Sequence, residues 1–300
     1  MSVAGQGATT HSRRASVILR QFLHTDPVAI SYLFGCGGHA ACAVVDPLGD
    51  VQPYLRVADQ TGMRIWFVVD THVHADHRSA GRALASAAGA EYVLHAGTEV
   101  AFPFHPEKDG DRLPLGNVVA DVIHTPGHTQ EHVCLLVTDR TRADEPWFVL
   151  TGHTLMVGDV GRTELAEDAA SGARTLFASL QRLKALPDHI EVLPGAYSGS
   201  VCGRRLSGKP SSTIGFERRH NAAFRINAEA EFIDFMLRDI PPVPVGAGGM
   251  SCNMKSTKAA SESILKAALL RRSKPIVEDG FPLNRRPHTE PEYAPGNTSI

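Results

Sequence analysis

The sequence predicts a layered α/β domain over residues 17–240. Short apolar segments rich in β-branched and aromatic residues alternate with segments whose apolar residues recur at helical spacing. Several apolar segments end in a turn that contains glycine or proline together with polar side chains. The 300 residues are 43% hydrophobic, which is enough to bury one large core. These observations favour sheets covered by helices.

The elements are predicted in chain order from these local patterns. The first two strands are predicted at AISYLFG and HAACAVVDP, joined by the glycine-rich CGG, and a buried strand follows at RIWFVVD. A helix of small residues and another strand are predicted in RSAGRALASAAGAEYVLHA. Four further strands end in turns, at VADVIHTPGHT, HVCLLVTD, WFVLTGHT and IEVLPGA. Helical spacing marks GARTLFASLQRLKAL and AEAEFIDFMLRDI.

The two ends of the chain differ in composition from this domain. Residues 1–16 are predicted to be a flexible N-terminus. Residues 241–300 are predicted to be a partly disordered, helical or irregular C-terminal extension, since PPVPVGAGG is typical of a linker and only SESILKAALLRRS favours a helix. Residues 273–300 are rich in proline, arginine and asparagine, which disfavours a packed core.

Charge and composition favour a small-molecule partner. The formal net charge of -2 lacks the basic excess of a surface for nucleic acid or anionic membrane, and no run of about 18 to 20 apolar residues predicts a membrane span. Five cysteines without CxxC spacing favour a reducing, cytoplasmic location. Arg13, Arg14 and Arg20 precede the first acidic residue, Asp26, which leaves the mitochondrial matrix as the alternative. A homodimer is left open.

A cluster of histidine and aspartate follows the strand RIWFVVD. In THVHADH, His72 and His74 project to the same side because side chains alternate with period 2, and Asp76 and His77 follow in the turn. Imidazoles and carboxylates are the ligands that zinc, iron and manganese share in proteins. The alternative is a solvated polar turn, but the density of donors indicates a metal site.

Two other strand ends carry histidine in the same way. His128 lies in HTPGHT and His153 in LTGHT, each beside a glycine that allows the backbone to approach a ligand closely. We therefore predict that these side chains join the cluster at residues 72–77. The ten remaining histidines, His132 among them, lack ligand spacing and are assigned no function.

The order of these segments resembles the metallo-β-lactamase superfamily over roughly residues 17–225. The resemblance is carried by HxHxDH, TPGHT, TGHTLMVGDVGRTEL and LPGAYSGS, and GDVGRTEL with KPSSTIGFERRHNAAF is most similar to the branch of persulfide dioxygenases and glyoxalase II-like hydrolases. It implies an αββα sandwich with the metal at one edge. It also implies that His72, His128 and His153 are metal ligands, with His74 close enough to be a fourth.

Two departures from the family pattern bear on the number of metals. The position of the aspartate that bridges two metals in dinuclear relatives is His153, and one imidazole nitrogen cannot bridge two cations as a carboxylate does. The last histidine of the second site is replaced by Ala196. We therefore predict a mononuclear site, in which Asp76 and His77 either support the ligands from behind or are remnants of a second site.

This resemblance implies one Fe(II) per chain and a persulfide (sulfur) dioxygenase that oxidises a glutathione-type persulfide to sulfite. Three histidines are also the ligand set of zinc enzymes that generate hydroxide, so a mononuclear Zn(II) hydrolase of thioesters is the first alternative. A catalytically degenerate relative that only binds a ligand is the second.

The same segments supply candidates outside the metal ligands. Tyr197 is a candidate catalytic hydrogen-bond donor, and Arg162, Lys209, Arg218 and Arg219 are candidates for binding the substrate. The structural alternatives are ordinary packing for Tyr197, a loop anchor for Arg162, and a solvated helix face for the other three.

Overall fold

The computed structural model describes residues 16–164, 168–238 and 240. The predictions made for residues 1–15 and for the extension at 241–300 lie outside the described residues. Within the described part, no helix is long and apolar enough to cross a membrane.

The first sheet contains six strands, which neighbour one another in chain order. They are β1 Val17–Thr25, β2 Val28–Cys36, β3 Ala41–Val45, β4 Arg64–Val69, β5 Glu91–His95 and β6 His105–Glu107. Strands β1 to β3 are antiparallel, whereas β3 to β6 run parallel to one another. All five residues of β3 are buried, as expected for a central strand covered on both faces.

The second sheet has the strand order β14-β13-β10-β9-β8-β7, and a two-stranded hairpin, β11 and β12, follows β10 in the chain. The bounds are β7 Arg112–Leu115, β8 Val118–His124, β9 Val133–Asp139, β10 Phe148–Gly152, β11 Leu155–Met156, β12 Asp159–Val160, β13 Glu191–Pro194 and β14 Ser212–Thr213. Strands β10 and β13 are parallel, and the other pairs in the sheet are antiparallel.

Five α-helices cover the sheets: α1 Gln52–Gln60, α2 Gly81–Ala88, α3 Ala169–Lys184, α4 Ile214–His220 and α5 Glu229–Arg238. Asp168 caps the N-terminus of helix α3, and its carboxylate accepts hydrogen bonds from the amides of Ala170 and Ser171. Gly89 caps the C-terminus of helix α2; it has φ 63° and therefore takes the left-handed conformation that glycine adopts without strain.

Three buried clusters define four layers. Phe34 of the first sheet meets Phe148 of the second edge to face at 6.1 Å, within the cluster between the two sheets. A second cluster joins Tyr54 of α1 and Leu84 of α2 to the outer face of the first sheet. A third joins Leu176 of α3 to the outer face of the second sheet, together with residues of α5. The predicted αββα sandwich is confirmed.

The strands and helices predicted from the local patterns are also confirmed. Strands β1, β6, β7, β11, β12 and β14 and helix α1 were not predicted, because their short or polar segments carry little periodicity.

One edge of the sandwich collects the ends of strands from both sheets. Asp46 follows β3 and His72 follows β4 in the first sheet, while His128, His153 and Ala196 follow β8, β10 and β13 in the second. The fold therefore brings together residues that are up to 150 positions apart in the chain.

Candidate metal centre

His72, His128 and His153 form a compact buried triangle at this edge. Each side chain is 1% exposed, and their ring centroids lie 4.8 to 4.9 Å apart. Nδ1 of His153 lies 3.2 Å from Nε2 of His128, and one ligand nitrogen from each of the three lies within 4.8 Å of the others. Two nitrogens bound about 2.1 Å from one ion are separated by roughly 3.0 to 3.4 Å. The distance between His128 and His153 therefore fits one shared cation, and the nitrogen of His72 lies near this pair.

The protonation state of His72 follows from its neighbours. The hydroxyl of Thr71 donates its proton to Oδ2 of Asp46 at 2.9 Å, since a carboxylate only accepts. The same hydroxyl lies 2.9 Å from Nδ1 of His72, so it accepts the proton of that nitrogen. Nε2 of His72 is then unprotonated, and this buried atom has no hydrogen-bond partner. An unpaired lone pair at this position is what a metal ligand requires.

His128 is oriented by the loop after β12. Nδ1 of His128 donates to the carbonyl of Arg162 at 2.8 Å, which leaves the lone pair of Nε2 directed toward His153. Gly161 lies directly beside this contact, and a Cβ atom there would come within 2.2 Å of the carbonyl oxygen of His153. The loop therefore requires glycine at position 161.

His132 holds the backbone of His153, although its spacing indicated no function. Nε2 of His132 accepts a hydrogen bond from the amide of His153 at 3.0 Å, and Nδ1 lies 3.0 Å from the hydroxyls of Thr125 and Thr154. Its ring also stacks on His72, with centroids 5.0 Å apart. His132 thus positions two of the three candidate ligands without joining them.

Gly152 makes this arrangement sterically feasible. It has φ 47°, and a Cβ atom would lie 2.6 Å from both Nε2 of His132 and Oγ1 of Thr71. The turn after β10 therefore needs glycine for its conformation and for the close approach of two supporting side chains.

The three candidate ligands are neutral at physiological pH. Burial lowers the pKa of His128 to about 3 and that of His153 to about 4, because charging an imidazole away from water is unfavourable. Burial and the neighbouring histidines hold the pKa of His72 well below its ordinary value. A neutral imidazole is the form that binds a metal, so the triangle needs no proton release near neutral pH.

His74 lies on an acidic side of the centre. Its Nε2 is 3.3 Å from Oδ1 of Asp46, and its ring centroid is 4.2 Å from that of His72. Burial opposes protonation, but the nearby Asp46 carboxylate, with the charges of Asp70 and Asp76, raises the pKa of His74 to about 9. A protonated imidazole cannot ligate a metal. The part predicted for His74 as a fourth ligand stays a prediction.

Asp76 and His77 adjoin Cys202, which the sequence analysis did not single out. Nδ1 of His77 lies 2.9 Å from Oδ1 of Asp76, and the Cys202 thiol donates to Oδ2 of Asp76 at 3.5 Å. Burial and the Asp76 carboxylate hold the pKa of Cys202 well above its ordinary value. Asp76 and Cys202 each lie within 4.8 Å of a ring nitrogen of His153. The position of Cys202, six residues beyond Ala196, gives no spacing signal.

The candidate catalytic residue Tyr197 and the candidate substrate-binding residue Arg162 both form hydrogen bonds within the protein. Ala196 is fully buried and brings no donor atom, whereas the Tyr197 hydroxyl donates to the carbonyl of His24 at 2.8 Å. The Arg162 guanidinium pairs with Glu164 and donates to the carbonyl of Val201. These contacts support the loops around the centre.

The three basic candidates beyond β13 lie on and near α4. Arg218 pairs with Asp188 and donates to the carbonyls of Lys184 and Leu186 at 2.6 and 2.8 Å. Arg219 donates to the carbonyl of Gly215 at 3.0 Å, and the exposed Lys209 contacts Ser211. Substrate binding by Lys209, Arg218 and Arg219 stays a prediction.

Asp46 and Asp70 are further members of the site that the sequence analysis missed. Both are buried, and they form a second group of close ligand atoms with His74. Each ends a strand with the letters VVD, so the strand-end signal that identified the histidines was present for both aspartates.

The fold and the buried triangle of histidines at the edge of the sandwich are typical of a metal-binding α/β domain. The family model of the metallo-β-lactamase superfamily matches residues 28–195. The chain therefore belongs to the metallo-β-lactamase superfamily.

Relatives of two activities are similar to this chain. A hydroxyacylglutathione hydrolase of Rhodospirillum rubrum is 32% identical over 166 residues, which are 55% of this chain and 60% of that protein. The persulfide dioxygenase ETHE1, mitochondrial, of Bos taurus is 27% identical over 240 residues, covering 79% of this chain and 87% of that protein. The crystal structure of ETHE1 from Myxococcus xanthus superposes with TM-score 0.66 at 29% identity, covering 79% of this chain and 99% of that one.

Replacing Thr71 by valine tests the orientation of His72. The substitution keeps the shape of the side chain but removes the hydroxyl that accepts from Nδ1, so we expect metal affinity to fall about 10- to 100-fold. Competition with a chelator measures this affinity. Thr61→Val is the control, because it removes a hydroxyl that bonds only to carbonyls at the end of α1. Equal affinities in the two variants would contradict the assignment.

The metal-free protein should lose stability as the pH falls from about 6.5 to 5. In this window the unfolded state protonates His128 and His153 whereas the folded state does not, so unfolding takes up protons. Each such histidine contributes at most about 1.4 kcal/mol per pH unit. Urea unfolding at several pH values measures the slope, and His128→Asn should flatten it. If the free energy of unfolding depended on pH equally in the wild type and in His128→Asn, the loss of stability would not arise from His128.

Proposed function

We propose that this protein is an iron-dependent persulfide dioxygenase that oxidises a glutathione-type persulfide to sulfite. The observation that carries the proposal is the buried triangle of neutral histidines, combined with His153 and Ala196 at two positions where dinuclear relatives have second-site ligands. The similarity to ETHE1 proteins, which covers 79% of this chain in both sequence and structure, supports the same choice.

The donor set fits one Fe(II) held by His72, His128 and His153. Non-haem iron oxygenases hold Fe(II) with two histidines and one carboxylate, whereas His153 would be the third ligand here. Three protein ligands still leave coordination positions open, and a bound iron would supply the redox chemistry with O2. The unpartnered Nε2 of His72 and the 3.2 Å approach of His153 to His128 are the structural basis for this assignment. The supporting hydrogen bonds of Thr71 and His132 fix the ligand orientations before the metal binds.

The charge of the ligands favours an anionic sulfur substrate. Three neutral imidazoles leave the charge of a divalent cation uncompensated, and a persulfide anion, R–S–S⁻, supplies a negative donor. The balanced reaction is R–SSH + O2 + H2O → R–SH + SO3²⁻ + 2H⁺. Both oxygen atoms of O2 pass to the terminal sulfur, and water completes the sulfite as the S–S bond breaks.

The alternative is a mononuclear Zn(II) hydrolase of thioesters. The 32% identity with a hydroxyacylglutathione hydrolase favours it, and a three-histidine zinc site lowers the pKa of bound water to near neutrality. The loss of a bridging carboxylate at His153 argues against the two-metal hydroxide expected of dinuclear relatives. Dependence of the reaction on O2 separates the two proposals.

Metal analysis of anaerobically purified protein should give one tightly bound ion per chain. His153→Ala should release this ion, because it removes one of three ligands, whereas His153→Asp should retain it by offering an anionic oxygen donor. The exposed His189 provides the control variant, His189→Ala, which should bind the metal normally. Two tightly bound ions per chain, or full occupancy in His153→Ala, would show that the ligand set is wrong.

The activity is tested by loading one protein preparation with Fe(II) or Zn(II). We expect the iron form to consume O2 and produce sulfite in equal amounts when given glutathione persulfide, and the zinc form to do neither. Thioester hydrolysis by both forms is followed without oxygen. Anaerobic hydrolysis with zinc, together with no persulfide-dependent oxygen consumption with iron, would replace the dioxygenase by the hydrolase.

A further inference from the structure

A cavity of about 1040 Å³ lies beside the metal centre. One part of its lining is formed by His74, Asp76 and His77, the buried or half-buried residues that adjoin the candidate ligands. The exposed Arg78 and Arg82 line it toward solvent. The cavity therefore connects the surroundings of the metal with two arginine side chains.

Neither arginine is neutralised by an acidic side chain in the described part of the chain. Within residues 16–164 and 168–238, no acidic side chain forms an ion pair with Arg78 or Arg82. Cζ of Arg82 lies 4.1 Å from the centre of the Phe102 ring, so the guanidinium is oriented by stacking, which leaves its N–H donors free. Two unpaired guanidinium groups beside one cavity favour an anionic ligand.

The start of α2 fixes the place of these arginines. A Cβ atom at Gly81 would come within 2.5 Å of the Tyr92 ring, so the helix packs directly on this side chain. The Tyr92 hydroxyl donates to Oδ2 of Asp70 at 2.6 Å, and Gly81 donates to the Ser79 hydroxyl at 2.8 Å. The buried contacts hold the segment that carries both arginines against the first sheet.

We propose that Arg78 and Arg82 bind the carboxylate groups of the thiol that carries the persulfide. This inference rests on the proposed function for the identity of the sulfur group. His74 lines the same cavity, and its ring centroid lies 4.2 Å from that of the candidate ligand His72. The carboxylates of the substrate are therefore held at the arginines, and its sulfur end lies toward the metal centre.

The other basic candidates are less suited to this task. Lys209, Arg218 and Arg219 do not line the cavity, and the guanidinium of Arg218 already donates to two carbonyls and pairs with Asp188. Arg78 and Arg82 line the cavity and form no ion pair with another described residue.

Binding without turnover tests the inference. The full chain with its metal is kept free of oxygen, and calorimetry measures the affinity for glutathione, which has two free carboxylates, and for glutathione diethyl ester, which has none. We expect the double variant R78A/R82A to bind glutathione at least about tenfold more weakly, because charge-assisted hydrogen bonds are lost. Its affinity for the ester should equal that of the wild type.

Arg56→Ala is the matched control, since Arg56 is an exposed arginine on α1 that does not line the cavity. It should bind both probes as the wild type does. An unchanged affinity of R78A/R82A for glutathione, or an equal loss for glutathione and its ester, would overturn the inference.

The inference and the proposed function fail in different ways. Arginine-dependent binding of glutathione without oxygen consumption on its persulfide would retain the carboxylate site and reject the dioxygenase. Oxygen consumption that is equally efficient with a persulfide lacking carboxylates would retain the dioxygenase and reject the carboxylate site.

Discussion

The geometry of the metal centre depends on the buried carboxylate of Asp46. It accepts two hydrogen bonds from Thr71, one from the amide at 2.7 Å and one from the hydroxyl at 2.9 Å. Because that hydroxyl proton is committed to Asp46, the oxygen accepts from His72 and directs the lone pair of Nε2 toward the other ligands. The same carboxylate faces His74 and stabilises its positive charge. The buried negative charge of Asp46 therefore fixes the tautomer of His72 and favours the protonated form of His74.

The centre divides into a neutral side and a charged side. His72, His128 and His153 are neutral and surrounded by one another, whereas His74 lies among carboxylates. A buried polar atom without a partner costs about 1 to 3 kcal/mol. The unpartnered Nε2 atoms of His72 and His77 therefore lower the stability of the metal-free fold, and a bound cation would offset this loss. The two packed sheets hold these side chains in place in the absence of a metal.

The superfamily fold leaves the reaction open, because one scaffold can support several chemistries. The relatives accordingly include a hydrolase and a persulfide dioxygenase. Here the distinguishing features are single residues at strand ends. In the proposed assignment, His153 and the fully buried Ala196 stand where dinuclear relatives have a bridging carboxylate and a histidine. A second metal site would be weakened by both residues, while the first triangle stays complete. The ligand atoms and the metal that they hold, rather than the fold, therefore decide between hydrolysis and oxygen chemistry.

The sequence by itself determined the fold class, the main strands and helices, and the histidines that meet at one edge. Apolar periodicity marks the buried elements, and the spacing in HVHADH, PGHT and TGHT marks the strand ends. Residues whose role depends on partners from distant segments of the chain show no such spacing in the sequence. His132 orients His153, and Arg162 offers a carbonyl to His128, only because turns from distant segments meet. The direction of each lone pair and the exposure of Arg78 beside a cavity were decided by tertiary packing, since hydrogen-bond partners are set by proximity in space and not by order in the chain.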